Sequence, residues 1–238
     1  MRVAPLVLVA AGGLARETIE AARASGAWEP VAALDDDPAT WGTRVLGVPV
    51  TGGVDAVGDH PGASVVLCAG QGATRARLAA RLARLGVGGD RFATVVHPDV
   101  QVPASCSVGR GAVVLSGVAL TADVRVGDHA VLMPRVVLTH DDVLDDAVTV
   151  AAGAVLGGGV QVGEAAYLGM ACSVREGVRI GAGAVVGMGA VVLRDVPAGE
   201  VWAGVPAARL AAPSDAPRDE VPSVPPPARA PAGAPVVA

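Results

Sequence analysis

The fold of this 238-residue chain is decided by VRVGDHAVLMPRVVLTHDDVLDDAVTVAAGAVLGGGVQVG, residues 124–163. Within this stretch and outward on both sides, Val, Leu or Ile recurs at every sixth position from Val96 to Val192. Four places after each of these residues stands Val, Ala or Cys, with Asp142 as the single exception. Helices repeat every 3.6 residues and strands every two, so an unbroken period of six indicates neither alone. It is typical of a parallel β-helix whose triangular coils take about 18 residues each.

The repeat also predicts which side chains build the core of this solenoid. The large aliphatic residue and the small residue of each hexapeptide are expected to point inward and to stack on their equivalents in the next coil. Glycine often follows the aliphatic residue, which suits corners that need a positive φ. A valine-rich β-sandwich would not hold the phase over so many repeats. We therefore predict a β-helix domain over residues 93–212, with 196–210 capping its open end.

The first part of the chain has a different pattern, and we predict an α/β domain over residues 1–92. Short apolar runs alternate with helical patterns and glycine turns, as in a small parallel sheet of the nucleotide-binding type. The predicted elements are a strand at Leu6–Val9, a turn at Gly12 and Gly13, a helix at Leu14–Ala24, a strand ending at Leu34 before three aspartates, a strand at Val65–Cys68 and a helix at Thr74–Leu85.

Composition excludes several classes of function. A net charge of −5 disfavours a general nucleic-acid binder, because phosphate binding needs clustered cations. The three scattered cysteines match neither a disulfide framework nor a zinc motif, which favours a cytoplasmic protein. The uncharged stretch 147–163 is too short and too rich in glycine to span a membrane. The apolar N-terminus could be a short signal peptide, but a buried first strand is the favoured interpretation.

The last segment, residues 213–238, is predicted to be a disordered tail. Eight of its 26 residues are proline, and most of the others are Ala, Val or Ser. Such a composition does not build a packed core.

Several motifs together resemble the NeuD/PglD-like family of sialic-acid O-acetyltransferases and UDP-4-amino-sugar N-acetyltransferases, within the hexapeptide-repeat acyltransferases. The resemblance covers about residues 5–210, and its carriers are AAGGLARE (10–17), ALDDDP (33–38), GVPV (47–50), LTHDD (138–142), IGAGAVVGMGAVVLRDVP (180–197) and AGVPAARL (203–210). It implies a Rossmann-like domain that holds the sugar and a left-handed β-helix that trimerises. It also implies that acetyl-CoA binds in the cleft between neighbouring subunits.

The catalytic residues that the resemblance implies are His140 as general base and Asp141 as the acid that orients it. From the repeat alone, His140 lies two places after the inward Leu138 and is expected to face outward. An isolated histidine beside acids is more often an ordinary surface group, so the assignment depends on the family position. Gly158 lies one coil after His140 and is expected to stack beside it. The resemblance implies that its backbone contacts acetyl-CoA, where its N–H could stabilise an oxyanion, although it could equally be an ordinary corner glycine.

The resemblance also implies residues that bind acetyl-CoA, and here the chain departs from the family pattern. Met170 and Met188 match acetyl-CoA contacts, although they could equally form a packed outer ridge. Thr149 stands where the family commonly has a second histidine, and Met133 where it often has an asparagine. These two replacements put acetyl-CoA affinity and substrate positioning in doubt.

For the sugar substrate, the resemblance implies binding residues in the α/β domain. They are Gly12, Gly13 and Leu14 in the first loop, Asp35 and Asp36 after the second strand, and Gly70 in a third loop. Backbone N–H groups at a glycine turn that opens a helix favour phosphate. The first glycine of the usual motif is Ala10 here, and the full dinucleotide fingerprint is absent, which disfavours NAD.

A zinc site is disfavoured on spacing. His97, His129 and His140 fall at different phases of the coil and would not converge on one point.

Together these features predict a cytoplasmic homotrimer that moves an acetyl group from acetyl-CoA to a nucleotide-activated 4-amino sugar, without a metal, a nucleic acid or a membrane as partner. Two alternatives stay open: O-acetylation of a free sugar such as sialic acid, and a non-catalytic sugar-binding or scaffold protein.

Overall fold

A computed structural model describes residues 3–210 of the chain. The α/β part contains five strands, two α-helices and three 3₁₀ helices. Their bounds are β1 Ala4–Val9, α1 Gly13–Ser25, β2 Trp28–Leu34, a 3₁₀ helix Pro38–Thr40, β3 Arg44–Val45, β4 Val48–Gly52, a 3₁₀ helix Val54–Asp59, β5 Ser64–Leu67, α2 Gly72–Arg84 and a 3₁₀ helix Gly89–Arg91.

The sheet of this part has the strand order β3-β4-β2-β1-β5 and is parallel except for the short β3–β4 pair. The apolar run Leu6–Val9 in the interior strand β1 is completely buried, as expected for a strand covered on both faces. The two helices begin one and two residues before their predicted starts, at Gly13 and Gly72. Glycine is tolerated at these first positions, where the chain has to turn sharply out of a strand.

The second part is a parallel β-helix of short strands. Their bounds are β6 Val95–Val96, β7 Ser107–Val108, β8 Val113–Val114, β9 Ala119–Leu120, β10 Arg125–Val126, β11 Val131–Leu132, β12 Val137–Leu138, β13 Val143–Leu144, β14 Thr149–Val150, β15 Val155–Leu156, β16 Gln161–Val162, β17 Tyr167–Leu168, β18 Ser173–Val174, β19 Arg179–Ile180, β20 Val185–Val186, β21 Val191–Val192, β22 Val201–Ala203 and β23 Ala208–Arg209.

Three sheets make the three faces of this prism. Face I contains β7, β10, β13, β16 and β19; face II contains β6, β8, β11, β14, β17 and β20 with the terminal hairpin β22–β23; face III contains β9, β12, β15, β18 and β21. Each strand pairs in parallel register with the strand one coil on, as Val137 does with Val155. The large and small residues of the repeat form one continuous buried column.

The first coil departs from the predicted pattern. Val102 occupies an inward position of the repeat, yet it lies outside any strand and is 40% exposed. Pro103 follows it and has no N–H to offer to the ladder. Since no coil covers this end of the prism, the first turn lies open where later turns are stacked on both sides.

The two parts share a core. Leu8, Ala22 and Val48 of the α/β part pack in one cluster with Val113 and Val131 of face II. Helix α2 also lies very close to the prism: a Cβ added at Gly72 would overlap the carbonyl oxygen of Ala147. Face II therefore carries the α/β part and leaves faces I and III uncovered by it.

No helix in residues 3–210 is long and apolar enough to cross a membrane. The predicted tail, residues 213–238, lies outside the described residues.

Candidate active site

His140 lies on the corner between faces III and I, in the turn that follows β12. Its imidazole is 69% exposed, and its Nδ1 lies 2.8 Å from the Asp141 Oδ2. An ionised carboxylate can only accept, so the bond places the hydrogen of this pair on Nδ1 and leaves Nε2 free. Asp141 has a φ of 64° at the corner, which directs its side chain back toward the ring. The turn thus presents an oriented imidazole to solvent.

Gly158 lies directly beside this imidazole, one coil further along the same corner. A Cβ at Gly158 would overlap both Cε1 and Nε2 of His140, so only glycine leaves room for the ring in this position. The N–H of Gly158 has no acceptor among the described residues, whereas the N–H of Gly159 donates to the His140 carbonyl. The sequence-predicted residues His140, Asp141 and Gly158 are therefore in contact.

Asp142 follows this pair and turns into the prism. Its side chain is completely buried and accepts hydrogen bonds from the backbone N–H groups of Thr139 and Val160. Burial raises the pKa of the Asp142 carboxyl to about 6, against the lowering effect of these two hydrogen bonds.

A cavity of about 980 Å³ lies elsewhere, between the α/β part and face II. It joins the first turns of α1 and α2 to the outer side of face II. Of the residues predicted to bind substrate or acetyl-CoA, those that line it are Gly13, Leu14, Gly70, Thr149 and Met170. His140, Asp141 and Gly158 do not line it, because their corner is the edge of the prism opposite face II.

The other predicted binding residues lie outside the cavity wall. Met188 is 72% exposed on the corner that follows face II, one coil beyond Met170. Asp35 accepts hydrogen bonds from the N–H groups of Ala11 and Asp37, and so braces the first loop beside Gly12.

Asp36 is also held by its own domain. It accepts from the N–H of Val54 and pairs with Arg81 at 2.6 Å. Burial alone would raise the pKa of Asp36, but the Val54 and Arg81 interactions outweigh it and lower that pKa. The two aspartates thus bond to protein groups in this structure.

Thr149 links the two parts of the molecule. Its Oγ1 donates to the carbonyl of Gly70 at 2.9 Å and accepts from Arg75 Nη2 at 2.9 Å. The side chain is buried, so its hydroxyl is fully used between the domains. Thr149 therefore fixes the loop of Gly70 to face II at the wall of the cavity.

Arg75 is the residue that the sequence analysis missed. Its completely buried guanidinium donates to the carbonyls of both domains, namely Ala69, Gly70, His129, Ala147 and Val148, as well as to Thr149. Burial lowers its pKa to about 10, which leaves it charged at neutral pH. Its spacing from Leu78 and Leu82 puts it on the buried face of α2, a signal that the sequence already contained.

The cavity wall also contains polar side chains that no motif indicated. They are Glu17 at the start of α1, Gln71 before α2 and Tyr167 on face II. Within the described residues, no group of three potential ligands could hold a metal ion. Burial lowers the pKa of His129, which packs edge-on against Phe92 and is distant from the His140 corner in the coil.

Comparison with known proteins shows which enzymes have a similar fold. No family model matches the chain, and no curated protein matches it. Among solved structures, a histidine-to-asparagine variant of perosamine N-acetyltransferase from Caulobacter crescentus, in complex with CoA and GDP-perosamine, is 35% identical. The alignment covers 89% of this chain and 99% of that one, with a TM-score of 0.80.

Two further solved structures are similar to this chain over nearly the same share of its length. The acetyltransferase domain of PglB from Neisseria gonorrhoeae, in complex with acetyl coenzyme A, is 29% identical over 88% of this chain and 100% of that chain, with a TM-score of 0.81. WeeI from Acinetobacter baumannii is 26% identical over 87% of this chain and 100% of that chain, with a TM-score of 0.77.

These similarities confirm the predicted fold class, an α/β domain followed by a left-handed parallel β-helix. They also establish the enzyme class as acyltransferase. The chain belongs to the family of hexapeptide-repeat sugar acetyltransferases.

Proposed function

We propose that this enzyme transfers an acetyl group from acetyl-CoA to the amino group of a nucleotide-activated 4-amino sugar, with His140 as general base. The observation that carries the proposal is the 2.8 Å contact between His140 Nδ1 and Asp141 Oδ2 on an exposed turn. That contact leaves Nε2 available as a proton acceptor. The perosamine enzyme, 35% identical over nearly its whole length, is a nucleotide-sugar N-acetyltransferase and supports the choice of acceptor.

In the proposed reaction, the sugar amine attacks the thioester carbonyl while Nε2 of His140 takes its proton. Asp141 holds the ring in the tautomer that has Nε2 unprotonated and stabilises the imidazolium that forms. The N–H of Gly158, which has no acceptor among the described residues, is available to stabilise the oxyanion. Collapse of the intermediate expels coenzyme A as its thiolate, which takes up a proton.

The cavity between the domains is the proposed site of the nucleotide sugar. It is bordered by the amino ends of α1 and α2, and the residues that precede these helices, Gly12 and Gln71, provide no side-chain cap. The N–H groups at such ends favour a diphosphate. Gln71 and Tyr167 offer hydrogen-bonding groups in the same wall.

The two halves of the proposed site are on opposite sides of one chain, which is why we also propose a homotrimer. The cavity lies on face II, and His140 lies on the edge where faces III and I meet. One chain cannot bring His140 to its own cavity. A cyclic trimer would place the His140 edge of one subunit beside the cavity of its neighbour.

Release of the coenzyme A thiol from acetyl-CoA tests the proposed function. The acceptors are UDP-, GDP- and dTDP-linked 4-amino sugars and free sialic acid, and the variants are His140→Ala and Glu176→Ala. Glu176 occupies the same corner two coils further on, is exposed and serves as the matched control. We expect turnover with a nucleotide amino sugar that falls by about 10²–10⁴ in His140→Ala and stays unchanged in Glu176→Ala.

Three outcomes would contradict the proposal. Full activity in His140→Ala would remove the base assignment. Binding of a nucleotide sugar without turnover on any acceptor would favour a sugar-binding scaffold, and turnover on sialic acid alone would favour O-acetylation.

A further inference from the structure

From β7 to β18, the hydrogen-bond ladder of the β-helix follows one rule that fails at a single turn. The N–H that follows each inward aliphatic residue donates to a carbonyl of the aliphatic residue one coil on. Thr121 N–H donates to Leu138 in this way at 3.2 Å, and Gly157 N–H to Val174 at 2.9 Å. Among the N–H groups at this position from Gly109 to Arg175, Thr139 is the exception, because its N–H donates instead to the Asp142 Oδ2 at 2.8 Å.

Side chains repair the bonds that this exception leaves open. The Leu156 carbonyl, which would ordinarily accept from the Thr139 N–H, accepts from the Thr139 hydroxyl at 3.0 Å. The other oxygen of Asp142 accepts from the N–H of Val160 at 2.9 Å. Several N–H groups at the same position of the repeat, such as those of Ala154 and Ala166, donate to the carbonyl three residues earlier in their own turn. One hydroxyl and one carboxylate thus substitute for two regular backbone bonds.

We propose that Thr139 and Asp142 form a clasp that replaces one rung of the ladder and holds the intervening turn in the position that places His140 over Gly158. Asp142 is then a positioning residue for the proposed base and has no contact with the substrate. This inference rests on the proposed function for its effect on rate, but the geometry of the clasp does not depend on it.

The position of Asp142 argues that the clasp has a purpose other than stability. Every other small inward position of the repeat, from Val100 to Val196, holds Val, Ala or Cys. Burying a carboxylate there costs free energy that an apolar residue would not, and burial raises its pKa to about 6. The charged groups that act on it are His140 and Asp141 of its own turn, while the residues stacked in its column are apolar.

Removing the carboxylate should let the turn return to the regular ladder. In Asp142→Ala, the Thr139 N–H can donate to Leu156, and the Val160 N–H can donate within its own turn, as in the neighbouring coils. No buried N–H is then left without an acceptor, so the fold should survive. The turn itself would shift, and a shift of about 1 Å at a catalytic group can cost about 10²-fold in rate.

The kinetic test uses Asp142→Ala and Asp142→Asn, with Val178→Ala as the control. Val178 occupies the same inward column two coils on, so its truncation also opens space in the core. We expect kcat of Asp142→Ala to fall by about 10- to 100-fold, with KM values within about twofold of wild type and no loss of thermal stability. Asparagine keeps one acceptor oxygen but replaces the other with an NH2 donor, so it can preserve only one of the two hydrogen bonds, and its kcat should lie between those of Asp142→Ala and wild type. Val178→Ala should keep its kcat.

Thr139 provides a second pair of variants that does not alter the core. Thr139→Ser keeps the hydroxyl and should keep kcat, whereas Thr139→Val keeps the shape without the hydroxyl and should lower it. Equal kcat for these two variants, or wild-type kcat in Asp142→Ala, would overturn the clasp. A fall in kcat in Asp142→Ala that only follows a fall in melting temperature, as in Val178→Ala, would also overturn it.

A readout independent of activity separates this inference from the proposed function. The chain has four histidines, and the ring signal of His140 in a histidine-labelled sample can be assigned by its loss in His140→Ala. We expect this signal to shift in Thr139→Val and in Asp142→Ala and to stay in place in Thr139→Ser. If wild type transfers no acetyl group, the proposed function fails, yet these shifts still decide the clasp. An unchanged His140 signal in all three variants would overturn it.

Discussion

The β-helix and the α/β domain use their polar side chains in opposite ways. In the β-helix, the residue that breaks the repeat, Asp142, adjoins an exposed imidazole and an exposed carboxylate on one turn. In the α/β domain, Asp35 and Asp36 follow a strand where a ligand could lie, yet they bond to backbone N–H groups and to Arg81. The β-helix has its one charged inward residue at this turn, whereas the α/β domain spreads its polar groups through its own loops.

The difference shows that in a regular repeat, a residue that departs from the pattern for a functional reason can be recognised from the sequence. In the middle coils of the β-helix, the N–H groups that follow the inward aliphatic residues bond in the same way, so the departure at Thr139 has no structural need to explain it. In the α/β domain, every loop differs and needs its own polar contacts. We therefore expect substitutions at the irregular turn to change chemistry, and substitutions of the α/β carboxylate contacts to change local stability only slightly.

The largest effect is expected from Gly158→Ala. The added Cβ would overlap the His140 ring and displace the proposed base, so kcat should fall by about 10²–10⁴. Gly58→Ala in the α/β domain is the matched control, because nothing lies within 4 Å of its added Cβ. Steady-state kinetics of the two variants measures the contrast, and wild-type kcat in Gly158→Ala would show that the ring need not occupy this place.

The next largest effect is expected at the junction of the two regions. Arg75→Met would remove the donor to carbonyls of both domains and leave several buried acceptors unpaired, at a cost of about 4 kcal/mol of unfolding free energy. Arg77→Met, on the exposed side of the same helix, should cost little. Chemical denaturation measures both variants, and equal stability would mean that the domains stay docked without Arg75.

A smaller effect is expected in the pH dependence of stability. Because burial raises the pKa of Asp142 from 3.8 to about 6, the native state binds a proton more tightly than the unfolded state. Asp142 therefore contributes most to the free energy of unfolding below about pH 4. This contribution declines by up to about 3 kcal/mol as the pH rises to about 6.

Asp142→Asn removes this titration. The free energy of unfolding of wild type minus that of Asp142→Asn should fall between pH 4 and 6 and then level off. Asp145→Asn, which alters an exposed carboxylate of the same run, is the control. A difference that rises with pH over this interval would show that Asp142 is stabilised as a carboxylate.

The smallest effect is expected for Arg81→Ala. Arg81 pairs with Asp36 and Asp55, but all three groups are substantially exposed, and such pairs contribute less than about 1 kcal/mol. Thermal melting should show a small shift, similar to that of Arg84→Ala on the same helix. A loss of unfolding free energy above about 2 kcal/mol would show that Arg81 makes a strong interaction, against our expectation that such contacts in the α/β domain contribute little.

The β-helix could be predicted closely from the sequence because its core residues follow a strict six-residue repeat. Leu132, Leu138 and Leu156 are buried as that repeat requires, and His140 faces outward as its place after Leu138 predicts. The open first coil at Val102 was missed, because periodicity does not report that an end coil has a neighbour on one side only.

The junction of the domains could not be predicted in the same way. The spacing of Arg75 from Leu78 and Leu82 indicates the buried side of α2, but only the docking of that helix on face II shows that Arg75 donates to carbonyls of the β-helix. The use of Thr149 between the domains follows from the same docking, which no local pattern encodes. The position of His140 on the side of the prism opposite the cavity could not be predicted locally either, because it depends on how the three faces are arranged.

Mixed trimers test most directly the central claim that one site is built from two opposite sides of the chain. His140→Ala lacks the proposed base, and Gly13→Trp fills the cavity at a position where an added Cβ meets nothing within 4 Å. Each variant alone should be inactive. Random one-to-one trimers should recover about a quarter of wild-type activity, because a wild-type edge then meets an open cavity in about a quarter of the sites. Verified mixed trimers without activity would contradict the claim.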